Sequence, residues 1–421
     1  MPEPESVDAA AARLFTGLLR RTHLSRPSDL TDVVIDEARA HLGADDVVVS
    51  LVNHEFTALV PIPSDLSPDR PPQPVDGSMA GRAFVTSGMV FADATPDPRT
   101  GGPRRRAWIP LLDGTDRIGV VEMTLPAPGG RVEEDLAAVC ERYAHLVAQT
   151  VVTKGLYGDA FERVQRSRPM TAGSELMRSM LPPLLYATDG LVVTGMLEPA
   201  YDNGGDAFDY AVNRDRVHLA VLDGMGHGLS AATVTAVALA AYRNARIEAL
   251  PLVETYRVVH EAVHGQFGGD RHVTAVLAEL DLSTGQLSWL SAGHPPPLLL
   301  RGARVVKTLQ ATPFFPLGWD FGGAPTVAHE QLQTGDSLLL YTDGLIEARL
   351  AEGGLLGIDG LAGFLEQEAA AGQTAPETLR RMRRAVLEHQ GGVLQDDATA
   401  LLVEWRRGSE AQLMPWTVLE D

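Results

Sequence analysis

Four aspartates, each placed where a strand-like run ends or begins, carry the chemistry this chain could perform. Asp206 closes NGGD (203–206), and Asp223 opens DGMGHG (223–228). Between them Val217, Leu219 and Val221 alternate with His218, Ala220 and Leu222, the period-2 pattern of a buried strand that delivers Asp223 to its mouth. Asp343 follows the apolar run Ser337-Leu338-Leu339-Leu340-Tyr341, and Asp396 and Asp397 precede a strand over Ala400 to Trp405. Glycine beside aspartate lets the backbone turn sharply and approach an ion closely. Carboxylates without a Cys or His set at metal-ligand spacing favour a hard cation, so Mg²⁺ or Mn²⁺ suits them better than Zn²⁺. Two such ions about 3.5–4 Å apart can share and acidify a water and clamp a phosphoryl group, which is a phosphohydrolase layout. A single Gly-Asp pair reads more simply as a turn; four of them at strand boundaries weigh against that reading.

Helices and strands must position these acids. Leu229 to Ala245 reads as a helix rich in alanine and valine almost all round, and so as a buried one. A second helix, Val253 to Phe267, follows Pro251. A strand meander is expected over Arg271–Asp281, Gln286–Ala292 and Pro297–Leu300, then helices over Ile358–Ala370 and Pro376–His389. His294, between Gly293 and three prolines, reads as part of a rigid loop more readily than as a catalyst.

The chain is 421 residues long, enough for two or three domains, with a formal charge of −20. That charge argues against nucleic acid, which demands a basic footprint, but leaves room for a phosphoprotein met through bound dications. One cysteine, Cys140, excludes an intramolecular disulfide and suits a reducing compartment; on a helix it reads as a packing residue. The start MPEPESVDAAAARLF lacks the basic and apolar regions of a secretory signal, and the apolar run Leu229 to Tyr242 is too short to span a bilayer. A cytoplasmic location is the expectation.

Upstream, Ala9 to Arg21 is an amphipathic helix candidate. Ser28 reads as the N-cap of a helix over Leu30–Leu42, followed by strands Asp46–Val52 and Thr57–Pro61. Trp108–Leu112 and Arg117–Leu125 flank DGTD, a hairpin signal. His54, at a loop edge, is expected on the surface. A 4-3 spacing runs through Val132, Leu136, Val139, Tyr143, Leu146, Thr150, Thr153, Tyr157, Ala160 and Val164. It predicts a heptad seam joining two domains through a parallel dimer, the alternative being a single helix packed on its own domain.

Family resemblance sharpens both halves. The blocks LMRSMLPP (176–183), EPAYDNGGDAFDY (198–210), LDGMGHGLSAA (222–232), HVTAVLAELD (272–281), SAGHPPPLLL (291–300), PLGW (316–319), GDSLLLYTDGLIEAR (335–349) and DDATALL (396–402) stand in one order. Over about 176–405 they resemble the SpoIIE/RsbU branch of the metal-dependent serine/threonine protein phosphatases, relatives of the type 2C enzymes. The resemblance implies an α+β protein whose phosphatase domain, about 172–407, is an α/β/β/α sandwich with two Mn²⁺ or Mg²⁺ ions at one edge. It also implies Asp223 as the bridging ligand, the Gly224 carbonyl beside it, and Asp206, Asp343 and Asp396 as the others. Asp396 is preferred to Asp397, where relatives often carry asparagine. At the place of the proposed general-acid histidine of type 2C relatives this chain has Met225; His227 lies two residues further on. Asn203 stands where relatives have a small aliphatic residue, and Phe208 where tyrosine is common.

Residues 28–150, through GRAF (81–84), the strand end Pro110-Leu111-Leu112-Asp113-Gly114 and Ile118-Gly119-Val120-Val121, resemble a GAF sensor domain. A helical linker over 132–168 would join it to the enzyme as a homodimer. The substrate the resemblance implies is a phosphorylated STAS-domain anti-anti-sigma protein. Two alternatives stay open: a catalytically weak scaffold of phosphatase form, and a phosphatase for small phosphorylated metabolites.

Overall fold

A computed structural model of the chain describes residues 7–98, 101–130, 132–198, 201–202, 204–319, 322–350, 353–389 and 396–414. The chain divides into two compact units, 1–167 with 411–421, and 168–410.

The first unit opens with helices α1 (Val7–Thr22) and α2 (Leu30–Leu42), then strands β1 (Asp45–Val52), β2 (Ala58–Pro61) and β3 (Gln73–Pro74). Helix α3 (Met79–Thr86), short strands β4 (Val90–Phe91) and β5 (Thr95–Pro96), and the long hairpin β6 (Pro103–Asp113) and β7 (Asp116–Pro126) follow. Helices α4 (Glu134–Gly155) and α5 (Ala160–Gln165) close it. The sheet runs β3-β2-β1-β7-β6-β4, with β5 on β6. Ser78 caps α3, its Oγ accepting the Gly81 N–H at 2.8 Å. Ser28 does not cap α2: Pro27–Asp29 form a 3₁₀ turn, and Asp29 stands at the cap without a side-chain bond to the helix backbone. His54 is buried rather than exposed, its Nε2 2.8 Å from Glu162 Oε1 on α5.

The heptad stripe of α4 is spent largely inside this unit. Val139 and Tyr143 sit in its core with Leu30, Val34 and Ile109, while Leu136, Leu146, Ala160 and Val164 pack against the same cluster. The Tyr143 hydroxyl donates to the Val34 carbonyl. Packing on the unit's own sheet and helices therefore accounts for most of a periodicity that also fits an interchain seam. Cys140 faces the same core, and burial pushes its thiol up to about 12, as suits a packing residue.

The second unit begins with α6 (Ala172–Met180) and strands β8 (Leu185–Thr188), β9 (Leu191–Glu198), β10 (Asp206–Asn213) and β11 (Arg216–Gly224). Helices α7 (Gly228–Ile247) and α8 (Leu252–Phe267) lead to β12 (Val273–Asp281), β13 (Gln286–Ala292), β14 (Leu298–Arg301), β15 (Arg304–Thr308), β16 (Ala328–Gln331) and β17 (Asp336–Tyr341). The short α9 (Asp343–Ile346), α10 (Gly357–Ala370), α11 (Ala375–His389) and β18 (Ala398–Trp405) complete it. One antiparallel sheet runs β10-β11-β12-β13-β16 and the other β15-β14-β17-β18-β9-β8.

Strand alternation sorts the side chains between two layers. Phe208, Leu219, Val221 and Val276 meet Val193, Leu338, Leu340 and Leu401 in a core between the sheets. Ala220, Leu222, Ala275 and Leu277 point the other way, under Val234, Ala238, Leu239 and Val259 of α7 and α8. Helix α7 packs on the sheet and on α6 and α8 and leaves one stripe to solvent, where Leu229 and Ile247 are 53% and 78% exposed. Its alanine content reflects close approach to the sheet, not enclosure on all sides. Beneath its last turns the buried Asp209 accepts from Arg243 Nη2 at 2.7 Å and Arg246 Nη1 at 2.5 Å, tying α7 to β10. His260 and His264 stack along α8; the Gly318 N–H donates to His260 Nδ1 at 3.3 Å, and His264 Nδ1 lies 3.0 Å from the Gly318 carbonyl. These contacts seat the PLGW loop.

Candidate active site

Register brings the first two aspartates together: in the β10–β11 ladder Asp206 lies directly opposite Asp223, and Gly224 continues the strand. Directly opposed like charges repel across a sheet, so local fold energy opposes this pairing. On the second sheet β17 pairs with β18, Tyr341 opposite Ala400, which brings the residues after β17 beside those before β18. Asp343 starts α9 there, and Asp396 and Asp397 precede β18.

A hydrogen bond joins the sheets at this edge. Thr342 Oγ1 donates to Asp206 Oδ2 at 2.7 Å and accepts the Thr399 N–H at 2.9 Å. Asp397 is occupied differently from its neighbour: its Oδ2 accepts the N–H groups of Gly204 and Gly205, both at 2.7 Å. Successive amides form a small anion-binding concavity, and here the anion is the chain's own carboxylate. Asp396 is exposed, and its Oδ1 accepts the Asp397 N–H at 2.9 Å. Two glycines are required by close approach. A Cβ on Gly224 would strike the Thr235 hydroxyl, and one on Gly205 would lie 2.6 Å from the Gly224 carbonyl.

Electrostatics record the crowding. Burial, then Asp223 and Asp397, hold the Asp206 carboxyl well above the usual carboxylate range. Burial and the charges of Asp343, Asp396 and Asp397 push Asp223 up to about 7. Burial and Glu347 raise Asp343; burial raises Asp397 to about 6 despite the amides it accepts. Among the described residues no three acidic, His or Cys side chains stand close enough to form a ready ligand set. The acids interact through their fields, and their oxygen-only chemistry fits hard divalent cations.

His294, buried in its proline loop, is structural here. Its Nε2 lies 3.1 Å from the Tyr341 carbonyl, which can only accept, so Nε2 carries the proton. Nδ1 therefore accepts from Thr274 Oγ1 at 2.8 Å, and burial lowers this ring to about 4, leaving it neutral. Thr274 is the cross-strand partner of Asp223, its Oγ1 3.5 Å from Asp223 Oδ2. His227, exposed, precedes α7 without capping it. Thr274, Thr342 and the clamp role of Asp397 escaped sequence reasoning, because each depends on strand register or on contact between sheets. Asn203 lies outside the described residues.

Residues 213–406 match the family described as Stage II sporulation protein E (SpoIIE), a stretch that includes Asp223, Asp343 and Asp396 and begins after Asp206. Phosphoserine phosphatase RsbP of Bacillus subtilis (strain 168) is 27% identical over 175 residues, 40% of this chain and 42% of that protein. Phosphoserine phosphatase RsbU of the same organism is 20% identical over 260 residues, 59% of this chain and 75% of that one. The chain thus spans about two-fifths of RsbP and three-quarters of RsbU. Among solved structures, the SiaA-PP2C domain of Pseudomonas aeruginosa is 24% identical, with a TM-score of 0.47 over 55% of this chain and 92% of that one. Residues 213–406 are thus similar to the SpoIIE family, and the chain to the phosphoserine phosphatases RsbP and RsbU.

Proposed function

We propose that the second unit is a metal-dependent phosphatase of phosphoserine or phosphothreonine in proteins. One observation carries this reading: Asp206, Asp223, Asp343 and Asp396, spread over 190 positions of sequence, come within each other's fields at one edge of the paired sheets. With the Gly224 carbonyl they are the proposed ligands of two Mg²⁺ or Mn²⁺ ions. Bound there, such ions would supply Lewis-acid charge and a water acidic enough to attack phosphorus. The chain's own part is positional. Thr342 orients Asp206, the His294–Thr274 pair braces the strand opposite Asp223, and Asp397 holds the backbone of Gly204 and Gly205. No covalent phosphoenzyme enters this reading, and the leaving oxygen takes its proton from water.

The names of RsbP and RsbU as phosphoserine phosphatases support the substrate class. Within it, we place a phosphorylated STAS-domain anti-anti-sigma protein, whose dephosphorylation would free a sigma factor by partner switching. The first unit, GAF-like over 28–150, would be the sensor, acting through the 132–168 helices. Dimerisation would use the apolar side chains left outside at the end of α4 and just beyond it, Val152, Leu156 and Tyr157 at 41%, 81% and 75% exposure. No helix among the described residues is long and apolar enough to cross a membrane.

A second reading, a phosphatase-like scaffold with little turnover, draws on the absence of a ready three-residue ligand set among the described residues. Manganese-dependent hydrolysis of p-nitrophenyl phosphate and of a phosphoserine STAS protein decides between them. The phosphatase reading expects turnover that falls at least about 100-fold in Asp223→Asn, roughly the loss of 2.7 kcal/mol of transition-state stabilisation. No turnover by the folded wild type would leave the scaffold.

A further inference from the structure

The β11–β12 ladder runs on past its last strand pair, since the Met225 N–H donates to the His272 carbonyl at 3.0 Å. The next residue outward, Arg271, lies against the loop leaving Asp223: its Nη1 is 3.2 Å from where a Cβ on Gly226 would stand. The segment is firmly held. Val273 exchanges both backbone bonds with Leu317, at 3.0 and 2.8 Å, and the His272 ring sits 4.4 Å from that of Trp319.

Many arginines of this unit are spent on carboxylates, such as Arg243 and Arg246 on Asp209, Arg301 on Asp336 and Arg381 on Glu377. Arg214, Arg304 and Arg407 stand exposed without such a partner among the described residues, whereas Arg271 is half-buried. Arg271 has no ion-pair or hydrogen-bond partner among the described residues. An unspent guanidinium three residues across the loop from an edge of four aspartates is a cation kept for an anion that arrives with the substrate. Guanidinium is the side chain best matched to phosphate, because its planar fork gives two parallel charge-assisted hydrogen bonds.

We propose that Arg271 binds the phosphoryl oxygens of the phosphorylated side chain and so is a substrate-binding residue; this rests on the phosphatase reading. The contact exists equally in ground and transition states, so it acts on KM rather than on kcat. The test uses the full chain with manganese and a phosphoserine peptide. Arg271→Gln, and Arg271→Met, which keeps the aliphatic stem on Gly226, should each raise KM about ten-fold. They should weaken competitive inhibition by inorganic phosphate by a similar factor. Both should leave kcat within about two-fold and the manganese concentration for half-activation unchanged, and Arg271→Lys should recover part of the loss. Wild-type KM and phosphate inhibition in both variants would overturn the proposal, as would a loss confined to kcat or to manganese activation. Should the wild type not turn over, the phosphatase reading fails, and calorimetric titration of inorganic phosphate into magnesium-loaded protein still decides about Arg271. Weaker binding in both variants supports it, and equal binding, or none to any form, overturns it.

Discussion

Replacing Asp223 by asparagine should make the metal-free protein more stable at neutral pH while removing its activity. Asp223 faces Asp206 across the ladder and feels Asp343, Asp396 and Asp397, and burial with these charges moves its carboxyl from 3.8 to about 7. The folded state then holds a proton that the unfolded state releases. Stability of the metal-free form therefore falls as pH rises from about 4, where the unfolded carboxyl ionises, to about 7, where the folded one does, and levels off above. Roughly three decades of proton affinity at 1.36 kcal/mol each give about 4 kcal/mol, an upper bound because the neighbouring acids titrate together. For a domain of this size that corresponds to about 8–16 °C in Tm. Thermal unfolding in EDTA at pH 5.0, 6.0, 7.0 and 8.0, for the wild type and Asp223→Asn, measures it. The wild type should lose stability across that range, the variant should lose less, and at pH 8 the variant should melt higher. Manganese should raise the wild type far more than the variant. Parallel pH curves, or a variant less stable at pH 8 in EDTA, would refute the idea that mutual repulsion stresses this edge.

Substitutions at two other positions probe how the unit is held together. Asp397→Asn should keep manganese-dependent activity within about three-fold, because an amide oxygen can still accept from Gly204 and Gly205, whereas Asp397→Ala leaves those N–H groups unpaired and should cost about 1–3 kcal/mol in urea unfolding. Asp209→Ala strands Arg243 and Arg246 beneath α7 and should cost about 3–5 kcal/mol, read by the same titration, with little change in KM if the folded fraction is corrected for.

Strands β11 to β14, β17 and β18, helices α7 and α8 and the GHPP loop were legible as local patterns, because alternation and helical periodicity are short-range properties of the chain. Their assembly into two sheets was implied only by the family resemblance. Three elements misled. The α4 stripe satisfies a heptad, but Val139 and Tyr143 meet Val34 and Ile109 of their own unit, and periodicity cannot say whose surface fills the groove. His54 looked like a loop-edge residue until Glu162, 108 positions away, came to lie 2.8 Å from its ring. The alanines of α7 looked enclosed, yet they only let the helix sit close on Ala220 and Ala275.

The sequence by itself determined that acids stand at strand ends, because residue type and position within a strand are written locally. Tertiary structure alone decided which acid does what. Asp397 and Asp396 are adjacent, yet one is tied to Gly204 and Gly205 while the other stays open. Thr342 and Thr274 became part of the site only through contact between sheets and through register. A carboxylate's role depends on the donors and charges around it, and those arrive from segments far along the chain.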